Sequence, residues 1–138
     1  MFLKSEKNQE RLSRIGDLLR QKFGVDNSII SKLSLDVFTE ETRIQCDEFV
    51  VSIVVDRGTI YLDVIPRDHS EDRFGLAFLA VMLDPGLSLE SAFDNAAIWL
   101  AEKRDMLVKM FASPYYAAHR AAYVEFERQL NRALLGLR

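Results

Sequence analysis

FVVSIVVDRGTIYLDVIP, residues 49–66, consists of two β-branched runs separated by Asp56-Arg57-Gly58. Three residues ending in glycine between such runs fit a hairpin whose last turn residue takes positive φ, where glycine has no Cβ to clash. In the second run Ile60, Leu62 and Val64 fall on one side and Thr59, Tyr61 and Asp63 on the other. The sheet built from it has one face covered by helices and one wet face. Pro66 ends the strand, because proline has no N–H for the ladder.

Upstream, Leu33, Leu35 and Val37 alternate with Ser34, Asp36 and Phe38, the pattern of a half-buried strand. Thr39-Glu40-Glu41-Thr42 reads as a polar turn, and Ile44, Cys46 and Glu48 share one face of a further strand that bends near Asp47-Glu48. Earlier still, Leu12, Ile15, Leu19 and Phe23 recur at spacings of three and four among polar residues, the stripe of an amphipathic helix over 6–23. Ser5 caps this helix, Gly24 ends it, and Val25 to Ser28 form a turn.

Downstream, a charged loop from Arg67 to Arg73 leads into a nearly unbroken apolar run, Phe74 to Leu83. Its length suits a buried strand or a buried helix; Ala77, Leu79, Ala80, Met82 and Leu83 are good helix formers and favour the helix, with Ser70 or Asp72 as its cap. Ser88 or Ser91 caps a next helix that continues through Phe93, Ala96, Ala97, Leu100, Leu107 and Phe111. Ser113-Pro114 then starts a last helix, since proline's absent N–H would have lacked a partner in the first turn. That helix carries Tyr116, Tyr123, Phe126, Leu130 and Leu134 on one stripe. The expected fold is α+β: an N-terminal helix, a three- to four-stranded antiparallel meander, then two to three C-terminal helices packed on one sheet face, in one domain spanning 1–138.

With 138 residues and 49% apolar content the chain can bury one core. The single cysteine, Cys46, excludes an internal disulfide and fits a reducing compartment; with only two histidines it cannot supply a four-ligand structural zinc site. No apolar leader and no run of membrane-spanning length is present, so a cytoplasmic protein without membrane contact is expected.

Charge is far from evenly spread. Between Asp36 and Asp94 stand thirteen acidic and four basic residues, a net of −9, while residues 1–35 and 95–138 each hold seven basic against four acidic. A concentrated field of one sign steers partners of the opposite sign.

Catalytic motifs do not compete with this signal. Asp68, His69 and Ser70 have the residue types of a hydrolytic triad, but three consecutive residues cannot take up the nucleophile, base and orienter geometry. His119 has no second histidine nearby and reads as a helix residue packed near Tyr116 and Tyr123. The pairs Glu40 and Glu41, Asp47 and Glu48, and Glu71 and Asp72 could hold a cation or act as acid and base only if the fold assembled them. No phosphate-binding glycine loop or zinc-protease helix motif is present, so neither a cofactor nor a metal is expected, nor catalysis. Cys46 reads as a small core residue. Basic residues such as Arg11, Arg14, Lys103 and Lys109 share their helices with acids, and the acidic centre repels phosphate, so direct nucleic-acid binding is not expected.

The acidic residues Glu40, Glu41, Asp47, Glu48, Asp68, Glu71 and Asp72 fall in expected turns and loops, which a sheet presents together at its ends. They are the candidate contacts for a cationic partner protein. The hairpin string 49–66 itself resembles that of small bacterial immunity proteins of polymorphic or contact-dependent toxin systems. The resemblance implies an intracellular protein that binds and neutralises a cognate toxin domain, often a nuclease whose basic cleft an acidic partner occludes. The alternative is an acidic secretion chaperone holding an effector in apolar grooves as a dimer, with Phe74 to Leu83 as its self-complementary segment. Either a monomer or a homodimer is compatible with the sequence.

Overall fold

A computed structural model describes residues 6–23, 30–34 and 39–136. The 49–66 hairpin lies at the centre of an antiparallel meander. Strands β1 (Ile30–Ser34), β2 (Thr39–Gln45), β3 (Phe49–Asp56), β4 (Thr59–Pro66) and the two-residue β5 (Phe74–Gly75) follow one another across the sheet in chain order. Helix α1 (Glu6–Phe23) precedes the sheet; α2 (Leu76–Leu83), α3 (Leu89–Asp94), α4 (Ala96–Ala112) and α5 (Tyr116–Leu134) follow it. The expected α+β layout is the observed one.

The hairpin turn is tighter than the sequence implied. Asp56 pairs with Thr59, which leaves two turn residues, and both have positive φ: Arg57 at 50° and Gly58 at 85°. Such a turn matches the right-handed twist of its strands. Thr39 Oγ1 donates to Asp56 Oδ1 at 3.0 Å and ties the hairpin end to β2.

Register sorts the side chains. Ile44, Val51, Val64 and Phe74 stand opposite one another across β2 to β5, and all four are buried. With Phe49, Ile53, Ile60 and Leu62 they form the helix-covered face, packed with Leu19 of α1, Leu76 and Leu79 of α2, and Trp99, Leu100, Leu107 and Phe111 of α4 in one core. Each large apolar side chain removed from water there contributes about 1.5–3 kcal/mol. The other face carries the row Arg43, Ser52, Asp63 and Gly75, flanked by Glu41.

Several local expectations are corrected. Thr39 to Thr42 is not a turn but the first half of β2, since Glu41 finds partners in Ser52 of β3 and in Arg73 of the β4–β5 loop that outweigh its low strand propensity. Phe74 and Gly75 pair with β4 before the helix begins at Leu76; Gly75 caps it, and neither Ser70 nor Asp72 does. The long helix expected from Ser88 is divided at Asn95, whose Nδ2 donates to Ser91 O at 3.0 Å and competes with the backbone for that carbonyl. Ser88 does cap α3, accepting from Ser91 N at 3.1 Å. Ser113 Oγ accepts from Tyr115 N at 3.0 Å, but the last helix begins at Tyr116 with Tyr115 as its N-cap, so Ser113 and Pro114 precede it instead of filling its N-cap and first position. On the last helix Tyr116 and Tyr123 are buried but Leu134 is exposed. Ser5, Gly24, Val25 to Ser28, Leu35 and Val37 lie outside the described residues.

Gly58→Ala places a Cβ on a residue at φ 85°. The expected result is a lower urea midpoint, equivalent to about 1 kcal/mol, with an unchanged denaturant slope.

Candidate functional site

The second sheet face holds a charged network. Glu41 is 2% exposed and Ser52 fully buried. The Ser52 hydroxyl donates to Glu41 Oε2 and accepts from Arg73 Nη2 at 2.5 Å. The same Nη2 lies 2.6 Å from Glu41 Oε2, and Arg73 Nε donates to Asp63 Oδ2 at 3.1 Å. Arg43 Nε adds an ion contact of 3.2 Å to Glu41 Oε1. Burial alone would raise the Glu41 carboxyl; the hydrogen bonds from Ser52 and Arg73 and the guanidinium charge outweigh it and hold the group below its ordinary value. Asp63 moves the other way: burial pushes it up, Arg73 offsets part of this, and the charges of Glu127 and Glu41 add to the rise.

Helix α5 locks onto the same edge. Tyr123 OH accepts from Gly75 N at 2.7 Å and donates to Glu127 Oε2 at 2.6 Å. A Cβ at Gly75 would lie 3.2 Å from that hydroxyl, so the close approach is possible because the residue is glycine. Arg120 donates to the carbonyl of Arg73 at 2.5 Å, and its guanidinium lies 4.8 Å from the Phe74 ring centre. Burial, the hydrogen bond to Glu127 and nearby carboxylates push the Tyr123 phenol upward, so it stays protonated as a donor.

The candidate acidic residues separate into two groups. Glu40 and Glu41 belong to the hairpin-turn end of β2, because Thr39 stands opposite Asp56. Five residues of extended chain put Glu40 roughly 17 Å from the far end of that strand. Glu41 is enclosed by Ser52, Arg73 and Arg43 and does not face outward, a correction to its expected place in an exposed loop. At the opposite end, the β2–β3 turn with Asp47 and Glu48 meets the β4–β5 loop with Asp68, Glu71 and Asp72. Arg67 joins them: its N–H donates to Glu48 O at 3.1 Å and its Nη1 to Asp47 O at 3.2 Å. A cleft of about 350 Å³ there is lined by Asp47, Glu48, Asp68 and His69 over Val108 and Phe111.

Within this second group the carboxylates differ. Glu48 pairs with Arg104 at 3.0 Å. Asp72 accepts from Tyr116 OH at 2.7 Å and lies 3.6 Å from Arg120 Nε. Asp47, Asp68 and Glu71 are exposed.

His69 stacks on Tyr116 with ring centres 3.6 Å apart, and among the described residues no side-chain hydrogen bond joins it to Asp68 or Ser70. His69, Glu71 and Asp72 bring ligand atoms within 4.8 Å of one another. Asp72 is already engaged by a phenol and a guanidinium, so two uncommitted ligands remain, too few for a firm cation site. Burial pushes the Cys46 thiol up to about 11, with Arg104 opposing, which suits a core residue. No helix among the described residues is long and apolar enough to cross a membrane.

Sequence reading did not find the Ser52–Glu41–Arg73–Asp63 network. The available signal was Ser52 itself, a lone polar residue inside a β-branched run, together with Arg73 immediately before an apolar one. In comparisons with protein-family models, curated proteins and solved structures, the chain matches none of them.

Glu41→Gln leaves Arg73 one anionic partner fewer and is expected to cost about 2 kcal/mol at neutral pH, read by urea unfolding. Because Glu41 is held below its ordinary value of 4.5, its contribution is complete above that pH and is lost as pH falls through the folded value. The difference between variant and parent therefore shrinks in acid. Asp63 has the opposite sign: its raised value lets the fold take up a proton first, so its contribution falls as pH rises from 3.8 toward the folded value.

Proposed function

We propose that the protein is a non-catalytic binding module that docks a cationic surface of a partner protein against the acidic end of its sheet. The carrying observation is that Asp47, Asp68 and Glu71 are exposed on two loops that Arg67 holds together by hydrogen bonds to the backbone. Carboxylates fixed in advance on a rigid sheet speed encounter with a cationic surface and select for it. Glu48 and Asp72 support the site from behind through Arg104 and Arg120.

A binding role also agrees with the fate of the hydroxyl best placed for chemistry. Ser52 has a carboxylate neighbour, but it is wholly buried and lies behind the side chain of Arg73. The resemblance of the hairpin to immunity proteins makes the partner a cognate toxin domain, with a nuclease cleft as the basic surface to be occluded. The dimeric chaperone reading relied on Phe74 to Leu83 as an interface; Phe74, Leu76 and Leu79 are fully buried in the core, which leaves only the side chains of Phe78, Val81, Met82 and Leu83 in that segment with surface for a partner.

The test uses a basic partner protein captured from the source cell and identified by mass spectrometry. The triple variant Asp47→Lys, Asp68→Lys, Glu71→Lys is expected to slow association about tenfold or more and to flatten its dependence on salt. Its thermal unfolding should match the parent, since all three side chains are exposed. An unchanged on-rate would refute the assignment.

A further inference from the structure

Strand β4 is only half covered on its outer side. Strand β5 pairs Asp63 with Gly75 and Val64 with Phe74, and the chain then turns into α2 at Leu76. Asp56 and Thr59 close a two-residue turn, which makes them a hydrogen-bonded pair. Antiparallel alternation then directs the N–H and C=O groups of Thr59 and Tyr61 toward β3 and those of Ile60 and Leu62 to the outer edge. No strand among the described residues covers that edge.

This unpaired edge, whose residues Ile60 and Leu62 are only 6% and 8% exposed, forms one wall of a cleft of about 340 Å³. Its aromatic side is built by Tyr61, Phe78 and Phe93, with the Tyr61–Phe93 and Phe78–Phe93 ring centres each 6.2 Å apart. Tyr61 and Phe93 are 39% and 37% exposed, high for large rings lining a groove. Asp63 and Glu127 also line it, and no lysine or arginine does. Each carboxylate has one oxygen engaged, Asp63 Oδ2 by Arg73 and Glu127 Oε2 by Tyr123. The second oxygen of each has no hydrogen-bond partner among the described residues.

We propose that this edge accepts an extended segment of a partner protein by strand addition, with a lysine or arginine of that segment seated between Asp63 and Glu127. Unpaired strand groups in a concave site are a template for main-chain pairing, and alternate side chains of the added strand are read by pockets beside it. Here the pocket is read by charge. Asp63 and Glu127 repel each other, Arg73 offsets only part of the charge on Asp63, and an incoming ammonium or guanidinium relieves the repulsion that is left. Its aliphatic stem lies along Tyr61 and Phe93, an arrangement aromatic rings favour for cations. The volume holds one long side chain together with parts of its neighbours. A second copy of this chain is a poorer occupant, since it would bring further copies of the same carboxylates to the edge.

The site stands on a different edge from Asp47, Asp68 and Glu71 and does not depend on the role proposed for them. The experiment titrates the 138-residue chain with the acetylated pentapeptide Thr-Val-Lys-Val-Thr and follows backbone amide resonances. Shifts are expected at Ile60, Leu62 and Gly75. Binding should weaken about tenfold or more when the peptide lysine becomes glutamate, and similarly in the Glu127→Gln chain, whose amide oxygen still accepts from Tyr123. N-methylation of alternate peptide nitrogens should abolish it, a control that leaves the protein untouched. Absence of shifts at Ile60 and Leu62 at millimolar peptide, equal binding of the glutamate peptide, or retention of binding after N-methylation would each overturn the proposal. The triple lysine variant at the acidic loops should bind the peptide as the parent does, which separates this site from the other.

Discussion

Arg73 sits in the loop that leads into β5, and its guanidinium reaches back over Asp63 on β4, Ser52 on β3 and Glu41 on β2. One side chain thereby ties together elements that hydrogen-bonded ladders join only pairwise. Without it Glu41 would be a buried carboxylate compensated mainly by Ser52 and Arg43, a condition that costs several kcal/mol. The network also fixes what comes next. With Arg73 held over the sheet and its carbonyl taken by Arg120, the following Phe74 is delivered to the core and Gly75 to the hydroxyl of Tyr123. Strand β5 therefore ends after two residues, and the outer edge of β4 stays open from Ile60 to Leu62.

Acidity in the middle of the chain is accordingly not one surface. Glu41 and Asp63 face the arginine network on the sheet. Glu48 and Asp72 are paired with Arg104 and Arg120 of the C-terminal helices, so part of the positive charge in that segment offsets the negative centre directly. Asp47, Asp68 and Glu71 remain exposed at one end of the sheet. A net of −9 in the sequence thus divides into exposed carboxylates, Asp47, Asp68 and Glu71 at the sheet end and Asp84, Glu90 and Asp94 around α3, together with a set of ion pairs and a buried network with structural consequences. These roles differ in their response to salt: exposed charges are screened, whereas the enclosed ones are screened much less.

Asp63 belongs both to the arginine network and to the cleft on this face. It is held by Arg73 at Oδ2 and lines the aromatic cleft together with Glu127. The opposing shifts of Glu41 and Asp63 follow from this. Glu41 accepts from Ser52 and Arg73 at Oε2 and has Arg43 beside Oε1, whereas Asp63 is buried with one guanidinium and two neighbouring carboxylates.

The sequence by itself determined the hairpin at 49–66, the buried side of its strands and the amphipathic helices around it, because these follow from local periodicity and from glycine, proline and serine chemistry within a few residues. Asp56-Arg57-Gly58 announced a turn, Ser88 a cap, and Ile60, Leu62 and Val64 a core face. The break at Asn95 rests on a local bond to the carbonyl of Ser91, whereas tertiary structure alone decided that Thr39 to Thr42 is strand and that Glu41 turns inward. It also decided which carboxylates meet, since the partners of Glu41 lie eleven and thirty-two residues away in Ser52 and Arg73. A charge pattern along the chain records how many acids there are; pairing across strands sets which of them still face water.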